Sequence, residues 1–263
     1  MPSSVVEFSV LGAVRARLGE RELNLGGPRQ RAMLAMLLLT PDRLHPVDEL
    51  VAGVWGEEAP ARANHSLSVY ASRIRDVLQR TGAGRDCVSW SGGYRLRLPS
   101  SCRVDLTEFE RLSRLASTDP DPVSAATTAR RALDLVDGPL LAGVPGPFAR
   151  RQQARWAERY VAAVEFTLGL EVDAGRATEA VAELADLATA HPWRESAHAL
   201  WMRALYLCGR QAEAFSVYES IRRRLSEELG VDPGPGLQET RLRILRGDRR
   251  LWGCGGPTAS PEE

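Results

Sequence analysis

Residues 61–80 carry Arg62, His65, Ser68, Ser72 and Arg73 on one side of a predicted helix. Guanidinium, imidazole and hydroxyl groups at that spacing can hydrogen-bond phosphate oxygens and the edges of bases. The other side carries Leu67, Ala71, Ile74 and Leu78, a single apolar stripe at i, i+4, i+7 and i+11. The segment has no internal Gly or Pro, and Pro60 stands at its start, where a missing N–H costs nothing. Arg62, Arg73, Arg75 and Arg80 outweigh Asp76 and make the stretch net positive. A plain amphipathic helix with a solvated face has the same pattern, so the flanking elements must decide.

Upstream, residues 5–14 and 15–25 read as short strands with a hairpin turn at Gly19-Glu20. Gly26-Gly27-Pro28 then opens an apolar core helix over 29–39, with Arg29, Gln30 and Arg31 predicted exposed at its N-terminal end. Free N–H groups there, with Arg29 and Arg31, would suit a phosphate, and plain solubility explains them as well. A second helix is expected over 47–55, lined by Val47, Leu50, Val51 and Val54, with Trp55 in the core. Thr81-Gly82-Ala83-Gly84 stops the third helix, and strands over 87–90 and 94–98 flank Ser91-Gly92-Gly93. A sheet, three helices and a terminal hairpin make a winged helix-turn-helix. In that arrangement helix three fits the major groove, and the hairpin, with Tyr94 and Arg95, reaches the minor groove or the backbone.

Composition narrows the function classes. With 44% hydrophobic and 26% charged residues the 263-residue chain is globular, and its length suits two domains. All 34 basic residues are arginine, so arginine abundance alone is no sign of nucleic acid. Residues 1–100 hold 13 Arg against 10 Asp and Glu, net +3, and the remainder is net −3, which points the first part weakly toward a polyanion. Cys87, Cys102, Cys208 and Cys254, with His45, His65, His191 and His198, show no zinc spacing, so neither metal nor cofactor is expected. No signal peptide is visible and the apolar run at 35–39 is too short for a bilayer, so a cytoplasmic protein is expected.

Past a polar boundary at residues 99–101 the chain reads as helical. Asp105 is a plausible N-cap for a helix to about residue 116, and a second runs over 123–136. The Pro- and Gly-rich stretch 138–147 is expected to be a fixed surface loop; it holds no phosphate-cradle pattern. Gly175-Arg176-Ala177-Thr178-Glu179-Ala180 returns as Gly209-Arg210-Gln211-Ala212-Glu213-Ala214, an offset of 34 residues, the tetratricopeptide period. Leu184 matches Tyr218 and Leu187 matches Ile221, which predicts a helix-pair array with an interaction surface. Trp193, Trp201, Met202 and Tyr206 are assigned to its core, Arg222-Arg223-Arg224 to a solvated face, and residues 248–263 to a disordered tail.

Trp55-Gly56, Pro60, Val69-Tyr70-Ala71-Ser72-Arg73-Ile74-Arg75 and Gly92-Gly93-Tyr94-Arg95-Leu96 resemble an OmpR/PhoB-type winged helix. With Arg29-Gln30-Arg31-Ala32-Met33-Leu34-Ala35, Leu50 and Trp55, the chain more closely resembles a Streptomyces antibiotic regulatory protein. The helical part resembles the bacterial transcriptional activator domain of that family, so the likeness covers roughly residues 5–247. It departs at Ala71, where the family often has a longer aliphatic residue.

The fold class expected is therefore mainly α with a small β component. Residues 1–99 would form the winged helix and 103–247 the tetratricopeptide-like domain. The resemblance implies that Arg73 contacts a base, with His65, Ser72 and Arg75 on phosphates or neighbouring bases. The other reading of Arg73 is a salt bridge to Asp76 at i+3. Tyr70 is expected to pack rather than stack on a base. The resemblance also implies a transcriptional activator of antibiotic or secondary-metabolite genes. It would bind promoter direct repeats in double-stranded DNA as a homodimer and contact RNA polymerase and its principal sigma factor. No receiver domain, phosphorylated aspartate or ATPase module is expected. A helical-repeat adaptor whose winged helix binds protein is the alternative. An enzyme is disfavoured, because no nucleophile–base pair, metal cluster or cofactor fingerprint is present.

Overall fold

Strands β1 (Val6–Ser9) and β2 (Arg15–Leu18) pair antiparallel with Phe8 opposite Ala16, and β3 (Arg21–Glu22) follows the Gly19 turn back along β2. Val6, Phe8 and Val10 are buried while Glu7 is exposed, the period-two signature of a half-covered sheet. The computed structural model describes residues 5–80 and 87–248. Within it, the N-terminal sheet is completed by β7 (Cys102–Val104), which runs parallel to β1 with Val6 opposite Cys102.

Helix α1 (Pro28–Leu39) follows, with Pro28 in its first turn and Ala32 through Leu38 buried without interruption. A helix apolar all round sits inside a core. Strand β4 (His45–Pro46) leads into α2 (Val47–Val54), and α3 (Ala63–Arg80) comes next. The hairpin β5 (Val88–Trp90) and β6 (Gly93–Leu96) joins β4 in a second sheet of order β4-β6-β5. Gly93 is required there, because a Cβ would lie 2.3 Å from the His45 carbonyl oxygen. The stop at residues 81–84 and the tail beyond residue 248 lie outside the described residues.

The described residues of 1–113 with Arg131–Tyr160 form one compact unit. Those of Arg114–Arg130 and from Val161 onward form the other. This division differs from the sequence boundary at 99–101. Beyond that boundary β7 supplies a sheet strand, and Asp105 at the start of α4 (Asp105–Thr118) accepts the N–H groups of Val10 and Leu11 at 2.8–3.0 Å. Burial raises the Asp105 pKa, with those donors pulling the other way.

The stretch 138–147 also departs from expectation. It follows α5 (Pro122–Leu133) and is no surface excursion: Leu140, Leu141 and Val144 are buried. The backbone N–H groups of Asp137, Leu141 and Ala142 donate to the carbonyls of Leu11, Val10 and Gly12 at 2.8–2.9 Å. This segment thus satisfies the backbone at the end of β1, which would otherwise be left unpaired.

In the other unit, α6 (Pro147–Asp173) delivers its C-terminal part, followed by α7 (Ala177–Ala190), α8 (Glu195–Leu207) and α9 (Gln211–Arg224). A π-type turn over Leu225–Leu229 precedes α10 (Pro235–Leu245). Gly175 and Gly209 have φ of +82° and +79°. After each, the next N–H reaches five residues back, Arg176 to Glu171 and Arg210 to Leu205, at 2.8 and 2.9 Å. The repeat seen in the sequence is therefore a repeated left-handed helix stop. Ala180, Leu184 and Leu187 are buried in one repeat, and Ala214, Tyr218 and Ile221 in the next. Met202 and Tyr206 are core as expected, and Trp201 is half-buried. Trp193 is a correction: it is 45% exposed, because it sits in the turn before α8 and outside any helical stripe. Buried Glu171 is neutralised by Arg130 at 2.7 and 2.9 Å, and Arg130 also reaches Glu183. No described helix is long and apolar enough to cross a membrane.

Candidate nucleic-acid interface

The interface is built on α3. Its stripe of Ala63, Leu67, Ala71, Ile74 and Leu78 is 5% exposed or less and seats the helix on the core. Burying these side chains fixes the rotation of α3, so Arg62, His65, Ser68, Ser72 and Arg73 are all exposed. No ion pair joins Arg73 to Asp76, which removes the salt-bridge reading. The Ser68 hydroxyl donates to the His65 carbonyl at 2.9 Å.

Arg75 is placed differently from Arg73. It is half-buried, and its Nε donates to the Val88 carbonyl at 3.0 Å, so part of its guanidinium holds the hairpin to α3. Tyr94 is a correction as a contact residue. It is 5% exposed, with its ring set edge-on to Trp90 at 4.7 Å. Burial raises its phenol pKa, against its side-chain contact with Ser68 and the charge of Arg75. Tyr94 braces the hairpin because β6 is the central strand of its sheet. Arg95 is half-buried.

At the start of α1, Arg29 and Arg31 are exposed as expected, and Gln30 is not: at 3% exposure its amide is tucked beneath Gly26. Arg31 Nε donates to the Gly26 carbonyl at 3.1 Å, and Arg29 lies 6.0 Å from the Trp55 ring centre. No side chain caps this helix. Trp55 is buried and stacks on Tyr70 at 6.2 Å, so both serve packing.

Below the hairpin, His45 is buried and bonds the Thr40 hydroxyl through Nε2 at 2.8 Å. Desolvation lowers its pKa despite the nearby Glu49 carboxylate. Glu49 is held below its ordinary pKa by Arg43, at 2.6 and 2.9 Å, and by His45.

The sequence reading missed Trp90. It is 57% exposed, and with Asn64, Ser68, Arg75 and Tyr94 it lines a hollow of about 410 Å³ between α3 and the hairpin. Strand alternation places Trp90 on the same face as buried Val88, yet as the last residue of β5, still paired with Tyr94, it is exposed.

Two family models match the chain: "Transcriptional regulatory protein, C terminal" over residues 20–96 and "Bacterial transcriptional activator domain" over residues 104–245. The regulatory protein AfsR of Streptomyces coelicolor is 45% identical over 98% of this chain and 26% of its own length. The transcriptional regulator RedD of the same organism is 32% identical over 92% of this chain and 71% of its own. The transcriptional regulatory protein EmbR of Mycobacterium tuberculosis is 32% identical over 92% of this chain and 63% of its own. A solved structure, "Mycobacterium tuberculosis EmbR in complex with low affinity phosphopeptide", has a TM-score of 0.85 at 31% identity, covering 93% of this chain and 66% of that one. The chain thus spans about a quarter of AfsR and under two thirds of EmbR. With matching models over both halves and RedD aligned along most of its length, the chain belongs to the Streptomyces antibiotic regulatory protein family of transcriptional regulators.

Proposed function

We propose that the chain is a sequence-specific DNA-binding activator of an antibiotic or secondary-metabolite gene cluster. It acts in the cytoplasm by binding rather than turnover, without a cofactor or metal. The carrying observation is the outward face of α3, where Arg62, His65, Ser68, Ser72 and Arg73 stand exposed while the apolar stripe is buried. That helix enters the major groove of double-stranded promoter DNA with Arg73 on a base. Arg62, His65 and Ser72 serve phosphates or neighbouring bases, and the Arg75 nitrogens beyond Nε serve a phosphate. Arg29 and Arg31 at the uncapped start of α1 position a further phosphate, and Arg95 follows the backbone at the hairpin.

DNA binding is assigned to residues 1–99 and partner contact to 103–247. Two copies occupy direct repeats as a homodimer on DNA and recruit RNA polymerase with its principal sigma factor. A mobility shift on promoter fragments across a salt series tests this. A preferred sequence and a steep loss of affinity with salt are expected. A shallow slope without sequence preference would overturn the reading in favour of a helical-repeat adaptor that binds protein.

A further inference from the structure

Helices α8 and α9 leave a pocket of about 430 Å³, lined by His198 and Trp201 from α8, by Val217, Ser220 and Arg224 from α9, and by Thr189 at the end of α7. That is the size of a small-molecule site. Several polar groups in it are unused by the fold. His198 is buried, and its Nδ1 lies 3.1 Å from the Arg194 carbonyl, so Nδ1 carries the proton and Nε2 is left as an acceptor. Burial, helped by the charge of Arg224, lowers the imidazole pKa and keeps the ring neutral. The Ser220 hydroxyl has no partner among the described residues. Among the described residues Arg224 pairs with Glu228, at 3.7 Å, and both side chains are exposed, so the pair is weak.

Elsewhere in the pocket the Thr189 and Ser216 hydroxyls donate to the carbonyls of Ala185 and Ala212, and the wall between them is largely apolar. Val217 is buried, the half-buried Trp201 presents an aromatic surface, and its indole N–H has no hydrogen-bond partner among the described residues. Glu213, at the far end, is held by Arg210 in two bonds of 2.7 and 2.6 Å. What remains is one available cation beside a neutral acceptor and a flat apolar wall. A single guanidinium matches a monoanion, and its planar fork suits a carboxylate.

We infer that this pocket binds a small amphiphilic carboxylic acid. The carboxylate meets Arg224 and Ser220, the apolar body lies along Trp201 and Val217, and an N–H or O–H substituent meets His198 Nε2. None of these residues takes part in the proposed DNA contacts, so the two readings fail separately.

The test titrates the full chain with naphthoate and with anilinonaphthalene sulfonate, two flat monoanions, and with the neutral naphthylmethanol. Saturable one-to-one binding of at least one anion, in preference to the neutral compound, is expected. Arg224→Ala should weaken it by about tenfold or more. Ser220→Phe, which fills the pocket from an exposed position of α9, should abolish it while the circular dichroism spectrum is unchanged. Failure of both anions to bind, equal binding of naphthylmethanol, or unchanged affinity in Arg224→Ala would overturn the inference.

Discussion

Arg75 Nε donates to the Val88 carbonyl at 3.0 Å, so a side chain of the third helix fixes the first hairpin strand thirteen residues later. Helix and hairpin are thus held as one surface, and Arg75 serves both the fold and the proposed phosphate contact.

Arg75→Ala should therefore act twice. Loss of a charge-assisted bond to a part-buried carbonyl lowers stability by about 1–2 kcal/mol, read from urea unfolding. Affinity for promoter and random DNA should fall together in fluorescence anisotropy. Unchanged affinity for random DNA would contradict a phosphate role.

Arg73→Ala should do the opposite. Arg73 is exposed and has no partner among the described residues, so stability stays unchanged. Specific binding should weaken by about 1–3 kcal/mol, with relaxed preference at one base position. Competition binding against singly substituted operators reads this out, and an equal loss on every sequence would rule out base reading.

His45 gives a pH signature. Its native pKa lies below the ordinary 6.5, so between those values the unfolded chain takes up a proton that the native ring refuses. Stability is complete above pH 6.5 and is lost as pH falls through that window. Glu49, also lowered, adds a separate loss below pH 4.5. Urea midpoints measured from pH 7.5 downward should show the first step, to which buried His198 also contributes, and His45→Gln should diminish it while the second remains.

Gly175→Ala and Gly209→Ala should each lower stability by about 1–2 kcal/mol, because both glycines hold φ near +80°. Equal costs at the two positions would match the shared helix stop. A thermal shift of either variant within error of the parent would show that the stops relax freely.

What the sequence revealed depended on periodicity. The α3 stripe and the paired glycines were legible because helical spacing and a fixed offset are local patterns. The sites of Tyr94, Gln30 and the segment 138–147 were not. Tyr94 owes its burial to the central position of β6, and Gln30 to a fold of the chain at Gly26. The segment 138–147 is fixed by backbone bonds to residues 10–12, which any side chains could make and no composition announces. Trp193 was misplaced for the reverse reason: an aromatic near helices looked like core, and the turn before α8 put it outside. Trp90 is not legible because strand alternation does not say which residues of one face the rest of the fold covers.

The pairing of β1 with β7, and of residues 10–12 with the segment after α5, bears on how such chains diversify. A crossover between genes near residue 100 would join a front half to a foreign strand and a foreign strap, and expose the open edge of β1. Chimeras cut there should aggregate. Chimeras that keep β7 and residues 137–142 matched to the same front half should not. The unit of inheritance is accordingly larger than the winged helix itself.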